Sequence, residues 1–92
     1  MKQFPTVEDA YRMLDEVLRL HLDAVPEGTP IPVDAKLADL GLTSVRAVSL
    51  VFDLEETFEF EFPDEMLSEA TFATRGSLEA VFAELYALDS AN

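Results

Sequence analysis

Apolar side chains return every three or four residues along three stretches of this chain, and between them the repeat breaks at proline and glycine. In the first stretch Val7, Ala10, Tyr11, Leu14, Val17, Leu18, His21, Leu22 and Val25 share one face, with Arg12, Asp15, Glu16, Arg19 and Asp23 opposite. This spacing predicts an amphipathic helix over about 6–24. Thr6 caps it, Glu8 and Asp9 occupy the first turn where the helix dipole favours acids, and Pro26 and Gly28 end it. The second stretch, Ala47, Val48, Val51, Leu54 and Phe58, predicts a helix over 44–58 with those residues on its buried stripe. The third, Leu78, Val81, Phe82, Leu85 and Leu88, predicts a last helix over 74–88 capped by Thr74.

The connections differ in character. Pro26, Gly28, Pro30 and Pro32 exclude regular helix or central strand from the start of the long loop. Further on, 34–40 predicts a hidden helical turn in which Leu37 and Leu40 pin the loop to the core. Glu59, Phe60, Glu61 and Phe62 alternate like a strand, yet a lone four-residue strand has no pairing partner, so they predict an extended connector that plugs the core with phenylalanine. Pro63 then opens a short helix over 63–69, with Asp64 and Glu65 at its positive end. Residues 1–5 form a lead-in with little to bury. The expected fold is all-α: a small four-helix bundle of three longer helices and one short one, with a long loop between the first two long helices, making one domain over 1–92.

Charge narrows the class of partner. Nineteen acids against six bases give a formal charge of −13, which repels nucleic acid and anionic membrane surfaces and favours proteins bearing basic patches. The chain has no cysteine, so it has no disulfide framework, no thiolate metal site and no thiol nucleophile of its own. No apolar run approaches the ~18 residues of a membrane span, and the chain opens without a charged-then-apolar leader, so the expected location is the cytoplasm.

The candidate chemistry gathers where the loop meets the second helix. Gly41 can adopt angles that a side chain forbids, and Thr43 or Ser44 can satisfy the free N–H groups of the helix start, leaving the other hydroxyl free. From the local residues alone, Ser44 as an N-cap and nothing more is the commoner case. Beside the buried stripe, Val45 and Phe52 point outward with Ser49 and Glu56, either as a docking face or as the margin of a wide core stripe. His21, on the apolar face of the first helix, is expected to be a hydrogen-bonded core or edge residue. No catalytic constellation accompanies it, since Gly-x-Ser-x-Gly is missing, and Asp53, Glu55, Glu56, Glu59 and Glu61 are expected to be solvated surface.

The stretch Leu40-Gly41-Leu42-Thr43-Ser44-Val45, with Leu54-Glu55-Glu56-Thr57-Phe58 closing its helix, resembles the modification-site helix of acyl carrier proteins, in which Asp-Ser-Leu stands where Thr43-Ser44-Val45 is found. Phe62-Pro63-Asp64-Glu65 and Thr71-Phe72-Ala73-Thr74 resemble later segments of that family, so the likeness covers roughly residues 6–88. It implies that a phosphopantetheinyl transferase attaches 4'-phosphopantetheine from coenzyme A to Ser44. The arm's thiol would then hold an acyl or aminoacyl group as a thioester, loaded by a ligase and consumed by downstream transferases, while the carrier catalyses nothing. Family members serving fatty-acid synthesis carry acids early in this helix, where this chain has Thr43, Arg46 and Ser49, its acids beginning at Asp53, Glu55 and Glu56. The resemblance therefore implies a recognition face of Thr43, Val45, Arg46, Ser49, Phe52, Asp53 and Glu56 serving a specialised pathway, with Arg46 repelling basic patches. The alternatives are a housekeeping fatty-acid carrier and an unmodified acidic adaptor that binds a basic protein.

Overall fold

Three stripes of apolar residues converge on one aromatic side chain, Phe58. The computed structural model describes residues 4–23, 25–26 and 28–90, with side chains as far as residue 86. It contains helices α1 (Val7–Arg19), α2 (Ser44–Phe58) and α3 (Arg75–Ser90), with single 3-10 turns at Leu37–Leu40 and Asp64–Met66. No strand occurs among the described residues, where an isolated bridge pairs Lys36 with Thr74. The fold is thus all-helical, with 3-10 turns in the connections.

Hydroxyl caps start each helix. Thr6 Oγ1 accepts from the Asp9 N–H at 3.1 Å, Thr43 Oγ1 from the Arg46 N–H at 3.2 Å, and Thr74 Oγ1 from the Ser77 N–H at 3.1 Å. Leu14 and Leu18 of α1, Leu50 and Leu54 of α2, and Leu78 and Phe82 of α3 are fully buried around Phe58. The Phe58 ring lies 4.7 Å from Phe82 and 5.6 Å from Phe60. Phe60 and Phe62 both enter the core, so the connector after α2 fills it as the alternation predicts. The Leu88 position of the third stripe lies outside the described side chains.

Several expectations are corrected. α1 ends at Arg19 instead of near 24, because the N–H groups of Leu20, His21 and Leu22 each bond three residues back, to Val17, Leu18 and Arg19, and so tighten the chain into a turn. His21 and Leu22 remain half-buried, which is why the apolar repeat outruns the helix. Val7 is exposed, one turn before the packing begins. The short helix expected over 63–69 is a 3-10 turn at Asp64–Met66, with Pro63 extended before it. The lead-in does bury something: the Phe4 ring sits 5.3 Å from Phe58, and its N–H donates to the Tyr86 hydroxyl. Nor are all the acids solvated, since a Glu55 carboxylate oxygen accepts from the Phe62 N–H at 2.8 Å and Asp53 Oδ2 lies 2.9 Å from His21 Nε2. That second contact makes His21 the hydrogen-bonded edge residue expected of it.

Arg75 joins α1 to α3. Its guanidinium meets Asp15 at 2.6 Å and Glu79 at 2.7 Å, and Asp15 also pairs with Arg19 at 2.6 Å. Arg19 reaches on to the carbonyls of Pro26 and Thr29, and Arg75 to that of Ile31, so the proline-rich loop is held against both helices. Farther along the loop the main chain takes over: the N–H groups of Leu37, Arg75 and Gly76 donate to the carbonyls of Ala73, Ala35 and Val33 at 2.8–3.1 Å. These bonds stitch the loop to the entrance of α3 and deliver residues 41–44 to a fixed place.

Candidate functional site

The approach to α2 is built from backbone that only particular residues tolerate. Gly41 closes the Leu37–Leu40 turn with φ 102°, a left-handed conformation. A Cβ added there would lie 2.9 Å from both the backbone nitrogen and the Cβ of Asp23, so glycine is required by space as well as by angle. Thr43 is extended and serves as the cap, and its carbonyl accepts from the Ala47 N–H at 2.8 Å. Ser44 is therefore the first residue of α2, exposed, and its hydroxyl has no hydrogen-bond partner among the described residues.

Ser44 stands at the mouth of an open cleft of about 800 Å³ between α2 and the segment leading into α3. Val48, Val51, Phe52, Phe62, Leu67 and Phe72 supply its apolar wall, and Lys36, Asp64 and Glu69 lie along its lining. A helix start presents unbonded N–H groups and a positive dipole end, which suit a phosphate ester on the first residue. An untied primary hydroxyl there, next to a long apolar groove, fits a phosphate-linked arm.

The residues expected to form a recognition face are not all alike. Val45 is 77% exposed and Phe52 65%, so both are surface and neither is core margin. Ser49 and Glu56 are also exposed, while Asp53 is half-buried against His21. Val48, expected in the buried stripe, is 55% exposed and joins Val45 and Phe52, whereas Leu50 is fully buried in its stead. Arg46 is half-buried, its Nη1 2.5 Å from an Asp23 carboxylate oxygen and 3.3 Å from the Gly41 carbonyl. Its guanidinium is paired within the chain while 40% of its side chain stays exposed. Sequence reasoning missed Asp23, Val48 and Leu67 here; the signal for Val48 was its spacing of three and four from Val45 and Phe52.

Three capped helices, an aromatic core and an exposed hydroxyl at the start of α2 beside an apolar cleft define a small helical bundle. A family model for the phosphopantetheine attachment site matches residues 9–82, and the chain belongs to that family. The family's group is covalently attached 4'-phosphopantetheine. An aminoacyl carrier protein of Agrobacterium fabrum (strain C58 / ATCC 33970) is 41% identical over 54 residues, which span 55% of this chain and 65% of that relative. One similar chain belongs to the crystal structure of Bradyrhizobium japonicum glycine:[carrier protein] ligase complexed with glycylated carrier protein: TM-score 0.62, 30% identity, 76% of this chain and 93% of that one. Another belongs to the structure of the engineered ligase complexed with carrier protein from Agrobacterium tumefaciens and ATP: TM-score 0.64, 31% identity, 79% of this chain and 95% of that one. Among the described residues no helix is long and apolar enough to cross a membrane, and no cluster of histidine or acidic residues is arranged to hold a metal ion.

Proposed function

We propose that this chain is a non-catalytic carrier of an aminoacyl group, held on a 4'-phosphopantetheine arm at Ser44. The observation that carries this reading is the exposed Ser44 hydroxyl, left without a hydrogen-bond partner among the described residues because Thr43 does the capping. In the attachment step the Ser44 oxygen forms a bond to the phosphorus next to the pantetheine of coenzyme A. The bond from that phosphorus to the adenosine bisphosphate breaks, and the serine proton passes to a base of the transferase. The arm supplies the thiol that this cysteine-free chain lacks, and a thioester on it holds the cargo.

An aminoacyl cargo and a loading ligase that activates an amino acid are supported by the relatives, both the aminoacyl carrier protein and the carrier proteins seen with a glycine:[carrier protein] ligase. The first turn of α2 holds no acid, which supports a partner set distinct from that of fatty-acid synthesis. Downstream transferases would take the cargo in the cytoplasm, where coenzyme A is at hand.

The test is intact mass after incubation with coenzyme A and a broad-range phosphopantetheinyl transferase. Wild type is expected to gain one arm and Ser44→Ala none, with the variant melting as wild type does because the cap lies on Thr43. Attachment to Ser44→Ala would move the site elsewhere. Refusal of the arm by the folded wild type would return the chain to the class of unmodified acidic adaptors.

A further inference from the structure

We infer that Asp23 and Arg46 form a clasp that holds the 41–44 turn in the conformation presenting the Ser44 hydroxyl, which makes Arg46 a positioning residue for arm attachment; this rests on Ser44 being the attachment site. Three separate contacts converge on the turn from Asp23. Its N–H donates to the Leu40 carbonyl at 2.8 Å. Its backbone nitrogen and Cβ pack so closely on Gly41 that no side chain fits there. Its carboxylate takes Arg46 Nη1 at 2.5 Å, and the same nitrogen donates to the Gly41 carbonyl at 3.3 Å.

Arg46 is thereby bonded twice over to the segment that precedes Ser44, by its main chain and by its side chain. Its main-chain N–H holds the Thr43 hydroxyl ahead of the serine, and its side chain reaches back past it to Gly41 and Asp23. Without the clasp, residues 41 and 42 would keep the local bonds from the Gly41 N–H to the Ala38 and Leu37 carbonyls and from the Leu42 N–H to Leu37. Asp23 follows directly on the tightened end of α1, so the clasp also ties the position of α1 to the turn. A reacting hydroxyl has to be held in one orientation for a transferase to reach it in line, and loosening by about an ångström is enough to slow such a step.

The test uses Arg46→Met, Asp23→Ala, their double variant and Arg46→Lys in the full chain. Two quantities are read: amide exchange at Gly41 and Leu42 in the unmodified protein, and kcat and KM for arm transfer from coenzyme A. Both single variants are expected to speed exchange at those amides and to lower kcat/KM by about three- to fivefold, the scale of an exposed ion pair with one further charged hydrogen bond. The double variant should be no worse than the poorer single one, because the two residues act through one contact. Arg46→Lys, which keeps a charge that can reach Asp23, should restore most of the loss.

The two single variants change the net charge in opposite directions. Should kcat/KM fall in one and rise in the other, Arg46 acts by direct electrostatic contact with the transferase and the clasp is overturned. Unchanged exchange at Gly41 and Leu42 overturns it as well. So does a loss shared by every amide together with a fallen melting temperature, which would mean ordinary destabilisation. Refusal of the arm by wild type would instead sink the assignment of Ser44, and the exchange data would still decide the clasp.

Discussion

Gly41 is where a single methyl group would be felt most. Alanine there would combine a left-handed backbone with a Cβ pressed to 2.9 Å against the main chain of Asp23. We predict that Gly41→Ala destabilises the fold by roughly 2–3 kcal/mol, read from the urea midpoint. Gly28→Ala is the control: its φ of 86° is also positive, but nothing lies within 4 Å of the added carbon, so it should cost about 1 kcal/mol. Equal losses at the two sites would show that the approach to Asp23 yields freely. The need for glycine at 41 is legible in the sequence, because a turn feeding a capped helix is a local pattern. Asp23 is not, since its contact with the turn runs between distant parts of the chain and leaves no periodic mark. The same contact changes how Arg46 is to be tested: Arg46→Glu, the obvious exchange for probing partner charge, would set one carboxylate against another and disturb the turn along with the partner.

At the level of the element, α2 carries two apolar stripes and the sequence does not say which is inside. Ala47, Leu50, Val51, Leu54 and Phe58 form the inner one, and Val45, Val48 and Phe52 the outer. A reading by periodicity finds both and assigned Val48 to the wrong one, because adjacent stripes on one helix share most of their spacings. Its ends were clearer, with Thr43 as the cap and Phe58 as the last core residue. The C-terminal end is held by Glu59, whose φ of 55° is the one positive value on a residue other than glycine among those described. Such a position favours glycine. We therefore predict that Glu59→Gly stabilises the protein by up to about 1 kcal/mol, against the usual direction of substitutions to glycine, and also thins the crowded acids. A denaturation midpoint that falls would show that Glu59 makes a compensating interaction. The early end of α1 was hidden for a related reason: His21 and Leu22 still turn inward after the helix has become a 3-10 turn, so burial continues where helical hydrogen bonding does not.

Across the whole molecule, repulsion among carboxylates opposes the burial of the apolar core. Each described arginine already has a carboxylate within 3.4 Å, yet the nineteen acids leave a large excess. Salt weakens both the pairs and the repulsion, and with a formal charge of −13 the repulsion dominates. The melting temperature should accordingly rise with added sodium chloride, and rise at lower concentration with magnesium chloride. A melting temperature that fell with salt would mean that the ion pairs at Asp15 and Asp23 outweigh the excess. The stitching of the long loop to the entrance of α3 bears on something else. Because the bonds from Leu37, Arg75 and Gly76 to Ala73, Ala35 and Val33 are main chain to main chain, they make no use of the side chains on the loop's exposed positions, although Gly76 itself has no room for one, an added Cβ lying 3.0 Å from the Val33 carbonyl oxygen. The outward-facing positions of that loop can change identity without moving the serine, so a chain of this design can be retuned to a new enzyme by substitutions at Val33, Asp34, Lys36 or Ala38 while its geometry is inherited unaltered.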